Sequence, residues 1–496
     1  MTHAKTVAHK TRRIGQFVLL GTTILSFAAC SVGPKYKAAA VPTPPAYKEI
    51  GNWKTAQPSD QNLGGNWWEI FQDSQLNALE QQIDVSNQNL KAAVAQYQEA
   101  RAALRYTRAD YYPTVSTGPS ATRQRYSDNR PGTLVRGSTF NDFVLPVDVS
   151  YQVNAWGRVS KNVESYREQA QASAADLAVV NLTMHADLAI DYFAARTLDA
   201  EENLFQNTVA QYEQALQLND ERYRGGLASE VEVEQARTIL ETTRAQLVDV
   251  GVARAQYEHA AAVLIGKPPA DFSLPPLPLT TPPPPIPVGV PSELLERRPD
   301  IAASERRVAS ANAQVGLAKA AYYPLVNILA SGGFESGTIT TLLQGPSALW
   351  SVGAAAATTI FDGGRRHALN DESRAAYDSS VASYRQTVLS AFQQVEDNLA
   401  ALRVLENEAG VQATAVQSAQ HSLDLSNTRY EGGVTSYLEV ITAQNAALSD
   451  EVTAVNILGR RMASAVLLIE ALGGGWDRSN LPDRPECCGK LAMQGN

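Results

Sequence analysis

The sequence predicts a mostly helical chain with a small β part, built from one fold made twice, and three observations lead there. First, landmarks recur in the same order at nearly one offset. Arg222-Tyr223-Arg224-Gly225-Gly226 returns as Arg429-Tyr430-Glu431-Gly432-Gly433, Gly157-Arg158 as Gly364-Arg365, and Leu264-Ile265-Gly266 as Ala471-Leu472-Gly473, each 207 residues later. Tyr111-Tyr112-Pro113 returns as Tyr322-Tyr323-Pro324 after 211 residues, so one loop differs in length. Second, proline is absent from Val147 to Lys267 and again from Ser347 to Leu481. Third, Arg158 to Arg224 and Arg365 to Glu431 hold one glycine between them, Gly410, and are rich in good helix formers. The repeat period is too long for a solenoid, so a domain fold has been duplicated.

The first element is an export signal, residues 1–29. Lys10, Arg12 and Arg13 precede an apolar stretch from Ile14 to Phe27, and small residues Ala28 and Ala29 lead to Cys30. That pattern suits lipoprotein processing, with lipid placed on Cys30; the plainer alternative is a cleaved signal with an incidental cysteine. Ser31 follows where an inner-membrane lipoprotein would carry Asp, which points to the outer membrane. Removing the four cations of the signal takes the net charge from −9 to −13. An acidic chain without clustered Lys and Arg is no nucleic-acid binder. A lipidated N-terminal segment, residues 30–75, then leads to the first repeat, 76–267.

Each repeat reads helix, strand, loop, strand, long helix, tip, helix. Val147, Val149, Tyr151 and Val153 alternate with polar residues, the period of a strand. Thr114 to Tyr126, Leu325 to Glu335 and Trp350 to Phe361 are the other expected strands, with polar loops over 127–142 and 336–349. The long helices, about 67 residues each, could reach roughly 100 Å. Each ends on a Gly-Gly pair suited to a helix C-cap and reversal, and a second helix follows over Ser229–Ile265 and Ser436–Leu472. Residues 268–299 contain 12 of the 25 prolines, including Pro282 to Pro285, and form an extended linker. The second repeat covers 300–476, and 477–496 is expected to be a disordered tail. Cys487 and Cys488 are adjacent and offer no disulfide framework.

Four strands are too few to close a barrel, which needs about eight, and an open sheet has bare edges that lipid does not tolerate. If these strands enter a membrane, copies of the chain must pool them: eight from a dimer or twelve from a trimer. Tyr111, Tyr112, Tyr322 and Tyr323 at strand starts, with Trp156 and Phe361 at strand ends, would then share one aromatic rim, as at a membrane interface. An enzyme finds little support. The four histidines beyond the signal are scattered without metal-ligand spacing, and there is no phosphate loop, nucleotide fingerprint or nucleophile elbow. No catalytic residue, metal or cofactor is expected.

Several stretches carry a family resemblance: Cys30-Ser31-Val32-Gly33-Pro34-Lys35-Tyr36, Trp67-Trp68-Glu69-Ile70-Phe71, the run from Pro291 to Asp300 containing Leu-Leu-Glu-Arg-Arg-Pro-Asp, Ala311 to Gly316, Phe361-Asp362-Gly363-Gly364-Arg365 and Ala471 to Trp476. On these the chain resembles the TolC-like outer-membrane factors, specifically the NodT-type efflux lipoproteins. The resemblance implies a homotrimer with a shared twelve-strand β-barrel in the outer membrane and a hollow α-barrel in the periplasm. It also implies a passive gated duct served by a periplasmic adaptor (membrane fusion) protein and an inner-membrane transporter of the resistance-nodulation-division type. By the same resemblance Leu438 falls at an apolar constriction and Glu439 in an acidic ring, while Thr442 stands where Asp is common. Glu232 and Tyr430 fall where a latch holds the tips shut, and Gly225-Gly226 and Gly432-Gly433 are the expected adaptor-docking turns. A non-conducting lipid-anchored spacer would share the helices and anchor but would not need the strands. A duct for type I protein secretion would share the whole architecture.

Overall fold

The computed structural model describes residues 32–50, 65–129, 131, 137–288 and 291–481. Cys30 and the Cys487-Cys488 pair lie outside the described residues. The longer helices among the described residues are α1 (Ser74–Ser86), α2 (Gln88–Arg108), α3 (Arg158–Arg224), α4 (Glu230–Leu264), α5 (Pro299–Ala320), α6 (Arg365–Glu431) and α7 (Tyr437–Ala471). The strands are β1 (Thr114–Ser116), β2 (Ser120–Arg125), β3 (Thr139–Gln152), β4 (Leu325–Ser336) and β5 (Ala348–Ala357). The two long helices, 67 residues each, start and stop where the glycine spacing places them. The fold is thus mostly helical, with a small antiparallel sheet and matching elements in both halves of the chain.

Two compact units draw on both repeats. One contains Gln98–Ala170 and Glu305–Ser383 with the N-terminal residues up to Ala39. At its centre is a sheet in which β1 and β2 both pair with one side of β3, followed by β4 and β5. The single strand expected over 114–126 is two pieces, because Thr117-Gly118-Pro119 interrupts it and Pro119 has no N–H for the ladder. The sheet therefore remains four strands wide. β3 starts at Thr139, inside the expected loop, because Thr139 to Val144 finds partners across β2. β5 stops at Ala357 rather than Phe361, ahead of Gly363 and Gly364, whose φ angles of 62° and 90° turn the chain into α6.

Register puts four strand ends side by side: Thr114 opposite Ser150, Gln152 opposite Asn327, and Leu325 opposite Ala357. The aromatic residues flanking those ends therefore share one rim. There Trp156 stacks on Tyr323 at 5.1 Å and donates Nε1 to Pro324 O at 2.9 Å. No residue in any of the five strands is buried. Neither face of the sheet is packed on a core within the chain, although Trp350 and Val352 are 82% and 70% exposed. The N-terminal segment is stitched to this unit at three points: Val32 N to Trp156 O (3.2 Å), Asn312 Nδ2 to Pro34 O (3.3 Å) and Tyr36 Oη to Glu305 Oε1 (2.5 Å).

The other unit contains Ala40–Tyr97, Gln171–Ser304 and the chain from Tyr384 onward. Asp73 caps α1, accepting from Gln75 N and Leu76 N, and its other oxygen accepts from the buried Tyr192 of α3 at 2.6 Å. Glu80 of α1 and His185 of α3 are buried together, Oε2 to Nδ1 at 2.6 Å, with Trp68 stacked on the imidazole at 4.4 Å. The linker is bound along 274–279 by buried charge. Asp199 accepts from Leu277 N, and it also pairs with Arg196 and Arg254, which donate to Pro275 O and Leu274 O. The tail is ordered further than expected: Arg478–Asn480 make a turn of 3-10 helix and Leu481 packs on Ala175, Ala302 and Ala303. Residues 482–496 lie outside the described residues.

Candidate gate at the helical hairpin tips

Each tip begins as a helix end that must dispose of its last carbonyls. At the first, Gly226 N donates to Tyr223 O (2.9 Å) and Leu227 N to Arg222 O (2.8 Å). At the second, Gly433 N donates to Tyr430 O (3.0 Å) and Val434 N to Arg429 O (2.9 Å). Both are Schellman closures, with Gly226 and Gly433 at φ of 75° and 72°, a left-handed conformation that any side chain would strain. Gly225 and Gly432, one residue earlier, lack that conformation. Ser229 and Ser436 then cap α4 and α7.

The four long helices meet here through a shared apolar cluster. Ala236, Tyr430, Tyr437 and Val440 are buried against Ala215, Leu216, Leu423 and Ile441, so α3, α4, α6 and α7 all contribute. Tyr212, Ile239 and Leu240 extend the cluster by further turns. Tyr430 is 5% exposed; its ring lies 5.2 Å from that of Tyr437, and the Arg222 guanidinium sits 4.6 Å over its centre. Its hydroxyl donates to Asn219 Oδ1, and Asn219, fully buried, donates in turn to Ala215 O at 2.8 Å. Burial, with the Glu232 charge, pushes the phenol above its ordinary value, so it stays protonated as a donor.

The expected pairing of Glu232 with Tyr430 is not a hydrogen bond in the protomer. Glu232 Oε2 accepts from its own N-cap, Ser229 N, at 2.7 Å. The nearby charge of Glu232 acts on Tyr430 through space, while Asn219 takes the hydroxyl. Glu439, which occupies in the second repeat the place of Glu232 in the first, is bound differently. Its carboxylate pairs with Arg429 at 2.9 Å and accepts from Thr435 Oγ1. A ring of Glu439 side chains would therefore carry charge partly met by Arg429.

Leu438 is 56% exposed and lies in an apolar groove of about 650 Å³ with Val231, Ile239 and Ile441, edged by Glu230 and Glu234. Thr442, one turn on, donates to Leu438 O at 2.8 Å and presents no charge. The tip thus brings Leu438, Glu439 and Thr442 together on the first turns of α7, with Tyr430 held from inside. Sequence reasoning missed Asn219, Arg222 and Tyr437, which hold Tyr430. Comparing the repeats was the available signal, since Asn219 stands where the second repeat has Ser426.

The family model described as outer membrane efflux protein matches residues 79–267 and 290–474, most of the chain. The chain belongs to the outer membrane efflux protein family. The toluene efflux pump outer membrane protein TtgF of Pseudomonas putida is 30% identical over 93% of this chain and 97% of its own. The cation efflux system protein CusC of Escherichia coli is 28% identical over 92% and 97%. Among solved structures, the outer-membrane channel OprN superposes with a TM-score of 0.84 at 26% identity, covering 90% of this chain and all of its own. This efflux protein is accordingly a TolC-like outer-membrane channel and not an enzyme. The family model matches in two stretches, one in each half of the chain, the second beginning at 290.

Proposed function

We propose that this channel works as a homotrimer, a passive gated duct that passes small molecules from a periplasmic adaptor and an inner-membrane pump, of the resistance-nodulation-division type, to the exterior. The observation that carries this reading is the sheet. It is four strands wide, open at the β1–β2 and β5 edges, and buried on neither face. Three copies joined edge to edge make a closed twelve-strand barrel, which removes the edges that lipid forbids. Lipid on Cys30 fits the same picture, because Val32 is bonded to the backbone of Trp156 at the aromatic rim. The relatives' names speak of toluene and of cations. Such breadth fits a duct whose cargo is chosen by the pump.

The gate is the tip, with Leu438 at the constriction, Glu439 and Thr442 beside it, Tyr430 and Glu232 keeping it shut, and the Gly225-Gly226 and Gly432-Gly433 turns as the adaptor's docking points. Single-channel recording in a planar bilayer tests this with wild type and Leu438→Gly. A small wild-type current that rises sharply in the variant is expected. No current in either, from folded trimer, would instead favour a non-conducting spacer; a large current in both would remove Leu438 from the gate.

A further inference from the structure

The rim where the strands meet the helices carries a charge opposite to that of the chain. The whole sequence is at −9, yet the links and terminal helix turns bordering the strand ends are cationic. Lys161 and Arg366 there are compensated in place, by Glu164 at 2.7 Å and Asp362 at 2.6 Å. Arg105, Arg108, Arg158, Lys319 and Arg365 have no carboxylate at ion-pair distance among the described residues. Among the described residues Asp110, Asp371 and Glu372, the last lining one cavity with Arg158, stand nearby as acids without such a partner, fewer than the five cations.

On α2 the arrangement is directional. Arg101, Arg105 and Arg108 are spaced i, i+4 and i+7, so they line one face over about 10 Å of helix and lead to Tyr112. The buried Thr107 lies about 160° of helix rotation from Arg105 and about 100° from the half-buried Arg108, so Arg105 faces away from the packed side and Arg108 flanks it. Tyr112, to which the stripe leads, is 73% exposed, whereas Tyr106, 83% exposed, projects from a different side of the helix. Exposed tyrosines interleaved with arginines suit the headgroup layer: rings settle among glycerol and carbonyl groups while guanidinium groups reach phosphates.

We infer that this basic, tyrosine-lined rim binds anionic phospholipid headgroups at the periplasmic surface of the outer membrane, with the Arg105–Arg108 stripe of α2 as its principal contact. The inference rests on the proposal that the sheet spans the membrane, which sets the rim at headgroup depth. The fit is electrostatic: a locally cationic band on an acidic protein attracts net-negative headgroups and leaves zwitterionic ones nearly indifferent. It also gives the channel a depth stop. The acidic remainder of the chain is repelled by the surface that the rim attracts.

The test is lipid selectivity at the protein boundary, read by electron paramagnetic resonance. Full-length protein is reconstituted in phosphatidylcholine vesicles with spin-labelled phosphatidylglycerol or spin-labelled phosphatidylcholine. Wild type should immobilise the anionic label severalfold more strongly, each basic group at such a surface being worth about fivefold in partitioning. The preference should collapse at about 1 M salt, where the Debye length is about 3 Å. Arg105→Gln with Arg108→Gln should lower it severalfold, and Arg105→Lys with Arg108→Lys should retain it. Unchanged selectivity in the glutamine variant, or its loss in the lysine variant, would overturn the inference. Protein that immobilises no lipid of either kind would overturn the membrane-spanning reading itself, and this one with it.

Discussion

Replacing Tyr430 with Phe isolates a contact at the centre of the apolar cluster that joins the helices near the hairpin tips. The Phe ring keeps its packing against Tyr437 and its place under Arg222; only the hydroxyl is lost. That hydroxyl serves Asn219 Oδ1, and Asn219 is fully buried, so the truncation leaves a buried acceptor without its donor. The cost of such an orphan is about 1–3 kcal/mol. If opening separates α6 from α3, the closed state alone bears the cost. The opening equilibrium of each protomer then shifts by roughly fivefold to 150-fold, from RT of about 0.59 kcal/mol. Open probability in a planar bilayer measures the shift, together with Asn219→Ala and the double variant. The double variant should cost no more than either single one, because the two residues share one bond. Since burial holds the phenol protonated above its usual range, the effect should not vary with pH below about 10. Wild-type open probability in Tyr430→Phe, or full additivity with Asn219→Ala, would refute the reasoning.

Three further outcomes follow from the same geometry. Gly433→Val forces a β-branched residue to φ near 72° and should abolish adaptor crosslinking at that tip while circular dichroism still reports a folded trimer; retained crosslinking would remove this turn from the docking surface. Arg429→Gln frees the Glu439 carboxylate, so the cation preference in reversal-potential measurements should rise, and Glu439→Gln should lower it; the opposite order would mean that Glu439 does not face the pore. Burial pushes Glu80, which faces His185 and Asp84, from 4.5 up to about 7. The folded chain thus holds this proton more tightly than the unfolded one. The stabilisation is full below about 4.5 and is lost as pH rises through about 7. The thermal midpoint should fall across that window in wild type, and Glu80→Gln should flatten the slope; an unchanged slope would place the titration elsewhere.

The one-dimensional features of this protein are legible because they depend on local chemistry. Glycine and proline set where 67-residue helices can run, and both ends of α3 and α6 fall where Gly157, Gly225, Gly364 and Gly432 put them. The strands were less legible. Pairing partners decide their limits, so Thr139 joins β3 because β2 lies opposite, and Pro119 divides what alternation alone would have left whole. At the tip, the resemblance marked Leu438, Glu439, Glu232 and Tyr430 but not the groups they bond to. Asn219 is 211 residues from Tyr430 along the chain, and Glu232 and Glu439, alike in sequence context, are bound by different neighbours. The sequence by itself determined the duplication, the helix lengths and the aromatic residues flanking the strands, since spacing and residue type suffice for these. The tertiary structure alone decided which hydroxyl meets which amide and which carboxylate is paired, because hydrogen bonds of about 3 Å between distant segments depend on packing that no local pattern records.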